Sequence, residues 1–279
     1  MTQAARFHGK TVVVTGAGRL AGLGAAIAAR FAGEGAYVVI SDIGDARDLP
    51  PDMLGKRQEM EAVAELCRAA GGAASCFPCD VRDYAQVAAL GQHALRTHGT
   101  IDAWINNAGV GFIMKPLLEV TPADWSAVID VNLTGAFFGL RVAAEAMIAA
   151  GRGGRIVNIA SQAAKSGFIH AQAYTASKHA LVGLARSAAV ELGPHGITVN
   201  NVCPNHVTTG LGAWQNEYFA KVTGHGSVES YLTAMRGRIP LGRPGLPADT
   251  AAAVAFLCSE DAAYITGESM NVSGGEETH

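Results

Sequence analysis

The sequence predicts an α/β protein, a doubly wound parallel sheet of seven strands with helices on both faces. Three observations carry the prediction. Short β-branched runs alternate along the chain with longer Ala/Leu-rich stretches of helical period. Most of the short runs are continuously apolar rather than alternating, as strands covered on both faces are. Hydrophobic residues make up 49% of the 279 and charged residues only 16%, so there is apolar side chain for a large core and disorder is excluded.

The elements follow in order. Thr11–Thr15 is a valine run between threonines, and a glycine turn leads from it into a helical stretch, Leu23–Ala32. Tyr37–Ser41 is the second β-branched run; an irregular stretch, Ile43–Gly55, separates it from a helix over Lys56–Ala70. Ala73–Cys79 reads as a strand, Tyr84–Thr97 as a helix and Ile101–Ile105 as the fourth strand. The next helix, Pro122–Ala149, has the clearest start: Thr121 as N-cap, Pro122 at the first helical position and Asp124 at the third. Strands at Arg155–Ile159 and Thr198–Val202 flank a helix over Ala173–Leu192, and a helix over Asp249–Ser259 precedes the last strand, Ser269–Val272. No linker, repeat or low-complexity tract divides residues 1–279, which read as one domain. Two further irregular stretches, Gly109–Glu119 and Asn205–Ser230, follow the fourth and sixth strands. Ligands bind outside the carboxyl ends of the strands in such sheets, so loops at about 109–119 and 205–235 are expected to enclose a substrate.

Composition removes several function classes. Glycine supplies 34 residues with no Gly-X-Y period, which excludes collagen. A net charge of −3 without a Lys/Arg cluster argues against a nucleic-acid surface. No apolar run approaches the ~18 residues of a membrane span, and Met1–Lys10 lacks a signal-peptide core, so a cytoplasmic protein is expected. Five cysteines fit a reducing compartment. Cys76-Phe77-Pro78-Cys79 has redox-like spacing, but inside a strand it reads as two buried small hydrophobes. No His/Cys constellation has zinc spacing, so no metal is expected.

The chemistry-bearing residues come in two groups. The first strand runs into Thr15-Gly16-Ala17-Gly18-Arg19-Leu20-Ala21-Gly22-Leu23-Gly24 and then a helix. Glycines there let backbone approach a pyrophosphate, whose charge the helix N-terminus attracts. Asp42, ending the second strand, stands where a carboxylate accepts the ribose hydroxyls and repels a 2′-phosphate, which indicates NAD rather than NADP; Arg19 pulls the other way. In the second group Tyr174 and Lys178 sit four apart on one helix face, and Ser161 follows the fifth strand. A tyrosine works as acid/base near neutral pH only if its pKa of about 10 is lowered, and a neighbouring ammonium is one source of that shift.

The order Thr15-Gly16…Gly22-Leu23-Gly24, Asp80, Asn106-Asn107-Ala108-Gly109, Asn132, Ser161, Tyr174-x-x-x-Lys178, Pro204 and Asn271-Val272-x-Gly274-Gly275 resembles the short-chain dehydrogenase/reductase family over nearly the whole chain. The resemblance implies a Rossmann-type fold and an NAD-dependent oxidoreductase acting on a secondary alcohol or ketone. It implies Tyr174 as acid/base, Lys178 as the group that lowers its pKa and holds the nicotinamide ribose, and Ser161 as the group that orients the substrate oxygen. Asn132 is implied to hold a proton-relaying water. Gly16, Arg19, Gly22, Leu23, Gly24, Asp42 and Ile43 are implied for the cofactor, with Asp80 and Val81 at the adenine. Asn107, Ala108 and Gly109 are implied along the adenosine side, and Val207 and Thr209 at the nicotinamide. A homotetramer or dimer is a further implication. Three departures stand out: a glycine turn two residues longer than usual, Asn205 in place of the glycine after the proline, and a longer connection after Asp42, expected to fold over the adenosine. Phe112, Met114, Gln162, Phe168, His170, His206, Trp214, Tyr218 and Phe219 are expected to form the substrate pocket. Reduction of a 3-oxoacyl thioester, and non-catalytic binding of NAD by a regulatory protein, are the rival readings.

Overall fold

The valines of the first strand show why its run is unbroken. In β1 (Thr11–Thr15), Val12 and Val14 pack into one core with Ile27, Phe31, Val63 and Val254, while Val13 packs into another with Leu90, Trp104, Ala143 and Met147. Successive strand residues face opposite sides, so a strand covered twice needs apolar residues at every position. The computed structural model describes residues 5–44 and 56–278. The long connection expected to cover the adenosine lies, from residue 45 to 55, outside them.

The other strands are β2 (Tyr37–Asp42), β3 (Ala73–Pro78), β4 (Ala103–Asn106), β5 (Gly154–Ile159), β6 (Ile197–Pro204) and β7 (Ser269–Val272). All pair in parallel, in the order β3-β2-β1-β4-β5-β6-β7, which is the Rossmann-type sheet the sequence predicts. The order reverses between β1 and β4, and their carboxyl ends open the crevice where such sheets bind dinucleotides. Helices α1 (Leu23–Gly33), α2 (Arg57–Ala69) and α9 (Pro247–Cys258) cover one face. Helices α3 (Tyr84–His98), α5 (Gly135–Ala150) and α6 (Gln172–Leu192) cover the other.

Three expectations need correction. The predicted helix Pro122–Ala149 divides into α4 (Pro122–Ile129), one wide π turn at Asp130–Thr134, and α5. Its start is as expected: Thr121 Oγ1 accepts from Asp124 N (3.1 Å) and the Asp124 carboxylate accepts from Thr121 N (2.9 Å). Pro122–Ala150 is also long and apolar enough to meet the criterion for a membrane span, contrary to the expectation that no run does. Its apolar residues Leu140, Ala143 and Met147 instead pack onto the sheet in the second core. The stretch Asn205–Ser230 is not irregular. It contains α7 (Gly210–Val222) and the start of α8 (Val228–Arg238), capped by Thr209 and Ser227, whose hydroxyls accept from Gly212 N and Ser230 N.

Buried asparagines tie four strands together near the crevice. Trp104 Nε1 donates to Asn106 Oδ1 (2.8 Å), Asn106 Nδ2 to Asn158 Oδ1 (2.9 Å), Asn158 Nδ2 to Asn201 Oδ1 (3.0 Å), and Asn201 Nδ2 to Ser269 Oγ (2.9 Å).

Candidate active site

A cavity of about 500 Å³ opens at the carboxyl ends of β1, β4, β5 and β6. One end is the glycine turn. Gly16 has φ of +63°, and a Cβ there would stand 2.5 Å from Ala108 Cα; a Cβ on Gly24 would stand 2.5 Å from Gly16 O. Neither position admits a side chain, so the turn packs against the Asn107–Ala108 backbone. Asn107 fastens it, Nδ2 donating to Thr15 O (2.9 Å) and Gly16 O (2.8 Å). Within the lengthened turn, Arg19 and Ala21 line the cavity while Leu20 is exposed and donates its N–H to Glu59 (2.8 Å). The Arg19 guanidinium reaches across to Gly210, at the start of α7.

Asp42 lines the same end. Its Oδ2 accepts from Gly18 N and its Oδ1 from Ile43 N, both at 2.8 Å, so β2 and the turn hold it jointly. Ile43, Asp80 and Val81 continue the wall. The Asp80 carboxylate pairs with the Arg82 guanidinium (2.6 Å), which holds it below the usual range against the opposing effect of burial.

Ser161, Tyr174 and Lys178 converge at the other end. Ser161 sits in extended backbone past β5, its Oγ accepting from Ala163 N (3.1 Å). Tyr174 and Lys178 project from α6, and Lys178 Nζ donates to Ile159 O (2.8 Å) and lies 5.5 Å from the Tyr174 ring centroid. Burial pushes the Tyr174 phenol above its ordinary pKa, while a hydrogen bond from Ser161 works the other way. Burial pushes Lys178 down to about 8. These surroundings favour the phenol form of Tyr174 over the phenolate.

Of the residues expected at the site, two do not line the cavity. Gly24 lies beneath the turn. Asn132, in the π turn, spends its amide on backbone: Oδ1 accepts from Val110 N (2.7 Å), and Nδ2 donates to Val110 O (3.0 Å) and Ser177 Oγ (3.1 Å). Gly22, Leu23, Asn107, Ala108, Gly109, Val207 and Thr209 all line it. Of the expected pocket residues, Phe112, Met114, Gln162, Phe168, His206 and Phe219 line it, whereas His170, Trp214 and Tyr218 do not. Those three form a cluster outside, with His170 Nδ1 and Tyr218 Oη 2.9 Å apart and Trp214 stacked on Tyr218. His170 holds the one left-handed non-glycine backbone among the described residues, φ +62°. Asn205 needs no such conformation, so the glycine it replaces is not missed. Leu211, Gln215 and Asn216 from α7 and Leu232, Met235 and Arg236 from α8 also line the cavity and escaped the sequence reading. The capping residues Thr209 and Ser227 were the signal that could have found both helices.

Cys76 donates to Met60 O, and burial pushes both Cys76 and Cys79 up to about 12, the opposite of a reactive redox pair. Among the described residues no group of three metal-ligating side chains forms.

Comparison with known proteins agrees with this geometry. A family model described as enoyl-(acyl carrier protein) reductase matches residues 16–277. Galactitol 2-dehydrogenase of Agrobacterium fabrum is 36% identical over 270 residues, 97% of this chain and 98% of its own. The crystal structure of carveol dehydrogenase from Mycobacterium avium with NAD superposes at a TM-score of 0.90, 29% identical over 97% of this chain and 98% of that one. That of a variant actinorhodin polyketide ketoreductase with NADPH does so at 0.87, 33% identical over 97% and 98%. With the sheet order, glycine turn and Ser161/Tyr174/Lys178 set all in place, the chain belongs to the short-chain dehydrogenase/reductase family.

Proposed function

We propose that the protein is a nicotinamide-dependent oxidoreductase that prefers NAD and interconverts a medium-sized secondary alcohol, cyclic or sugar-like, with its ketone. The observation that carries the reading is one continuous cavity with a glycine turn and Asp42 at one end and Ser161, Tyr174 and Lys178 at the other. The first end fits a dinucleotide: backbone close enough for a pyrophosphate, a helix N-terminus behind it, and a carboxylate at the ribose position. When bound, a nicotinamide would supply hydride exchange with the substrate carbon and, in its oxidised form, a positive charge that favours the phenolate.

The chain's own residues handle the oxygen and the proton. Ser161 donates to the reacting oxygen and so fixes the alcohol or polarises the carbonyl. In oxidation Tyr174 Oη takes the hydroxyl proton, and in reduction it returns one to the carbonyl oxygen. Lys178 keeps one N–H on Ile159 O, which leaves two for the ribose and for stabilising the phenolate. Asn132 braces the strand-four loop through Val110. Asp42 weighs against a 3-oxoacyl reductase served by NADP, because a 2′-phosphate would meet a carboxylate. Assembly into a dimer or tetramer belongs to the same reading; Phe137 and Ile148 on α5 and Val190 on α6 are exposed apolar side chains suited to it, and mass in solution tests it.

The mechanistic test is Tyr174→Phe, which is expected to lower turnover at least ~10³-fold while leaving NAD affinity within a few-fold. Near-native rates in that variant would contradict the acid/base assignment.

A further inference from the structure

Past Ser161 and Tyr174 the cavity wall combines apolar side chains, Met114, Phe168, Phe219 and Met235, with polar ones, Gln215, Asn216 and Arg236 from α7 and α8 and His206 two residues beyond β6. The His206 backbone N–H donates to Asn205 Oδ1 (2.9 Å), and its Nε2 lies 3.5 Å from Glu276 Oε2. Glu276 also accepts from Arg238 Nε (3.0 Å) and from Asn205 Nδ2. Glu276 reaches this position because Gly274 and Gly275, φ +62° and +94°, turn the chain back after β7. A Cβ on Gly274 would stand 2.8 Å from the Ile239 side chain, so the turn is tight as well as left-handed.

A carboxylate can only accept, so the tautomer with its proton on Nε2, 3.5 Å from Glu276 Oε2, suits this contact and leaves Nδ1 as an acceptor. No group among the described residues bonds Nδ1. Burial holds the imidazole below its usual range even beside Glu276, whose charge Arg238 already balances. A neutral ring with an unused acceptor, on the wall of a cavity whose other end holds the reacting oxygen, is suited to a hydroxyl donor.

We propose that His206, oriented by Glu276, is the specificity-determining residue of the substrate half: its Nδ1 accepts a hydrogen bond from a second hydroxyl of the substrate. The preferred substrates are then diols, polyols and hydroxyketones rather than monofunctional alcohols, a conclusion that rests on the hydride-transfer reading above.

The test uses the full chain with NAD and two matched pairs, butane-2,3-diol with butan-2-ol and cyclohexane-1,2-diol with cyclohexanol. His206→Leu is expected to raise the diol KM at least ~10-fold, the scale of one lost hydrogen bond, with kcat and both parameters for the monofunctional alcohols within about twofold. His206→Asn, which keeps an acceptor, should recover part of the loss, and Glu276→Gln should fall between the two. Equal losses on both members of a pair, or no loss on the diol, would overturn the inference. A wild-type protein that oxidises the monofunctional alcohols as well as the diols also overturns it while leaving the hydride-transfer reading intact. If no alcohol reduces NAD in its presence, both fall together.

Discussion

Asn106, Asn158 and Asn201 are buried polar residues in adjacent strands, and Tyr174 and Lys178 are polar residues of α6 a short distance away; their surroundings treat the two sets oppositely. In the asparagine chain each amide gives and takes hydrogen bonds at 2.8–3.0 Å from Trp104 through to Ser269. In the Tyr174–Lys178 pair the environment disfavours charge on both partners: the phenol is pushed up and the ammonium down to about 8. A satisfied network holds the sheet in register, whereas a set left at odds with its burial costs stability and waits for a ligand to balance it.

Four changes sharpen the contrast, the largest expected effect first. Lys178→Met should lower kcat/KM at least ~100-fold and weaken NAD binding, yet leave Tm at pH 7 no lower than wild type. The fall from 10.5 to about 8 corresponds to roughly 3 kcal/mol of burial penalty, partly offset by leaving Ile159 O unpaired. The sign with pH follows. The penalty is full below about 8, where native and unfolded chains both carry the ammonium, and fades towards 10.5. Calorimetry across that range should show wild type gaining on the variant.

Asn158→Leu should do the reverse. It removes the Asn158 partner of Asn106 Nδ2, which keeps only Ala136 O, and leaves Asn201 Oδ1 unpaired, costing roughly 3 kcal/mol or about 5–10 °C in Tm, with activity per folded molecule within about twofold. A stable but inactive Asn158→Leu would erase the distinction between the two sets. Asp42→Ala should shift the NAD/NADP ratio of kcat/KM about tenfold towards NADP, ~1.4 kcal/mol; an unchanged ratio would mean that the ribose is held elsewhere. Tyr218→Phe removes the part-buried His170 hydrogen bond outside the cavity and should change KM less than about threefold, since such a bond contributes ~0.5 kcal/mol.

The same contrast explains what the sequence made legible. The glycine turn, Asp42 and the Tyr174–Lys178 pair are encoded by short local spacing, because a strand-to-helix turn or one helix face sets their geometry. The seven strands are legible as short runs between helical stretches, and most of them are continuously apolar because they are covered on both faces. The fourth and the sixth are the least well bounded: they span Ala103–Asn106 and Ile197–Pro204, against the expected Ile101–Ile105 and Thr198–Val202. The single bonds of the asparagine chain join residues up to 68 positions apart, as between Asn201 and Ser269, so no local pattern announces it. Helices α7 and α8 were missed because Gly210, Gly212 and Gly224 break the apolar period and read as loop. The π turn holding Asn132 has no signature that separates it from ordinary helix. Glu276 belongs to the substrate half only through two left-handed glycines that fold the chain end back.

A single cavity that joins a dinucleotide to a secondary alcohol should catalyse hydride exchange between them. The most direct test is to incubate the purified protein with NAD or NADP and a panel of secondary alcohols, sugars and cyclic polyols, and to follow formation of the reduced nicotinamide. The account predicts NAD-dependent reduction with at least one secondary alcohol and a slower reaction with NADP. Tight NAD binding with no reduction by any alcohol or oxidation by any ketone would contradict it.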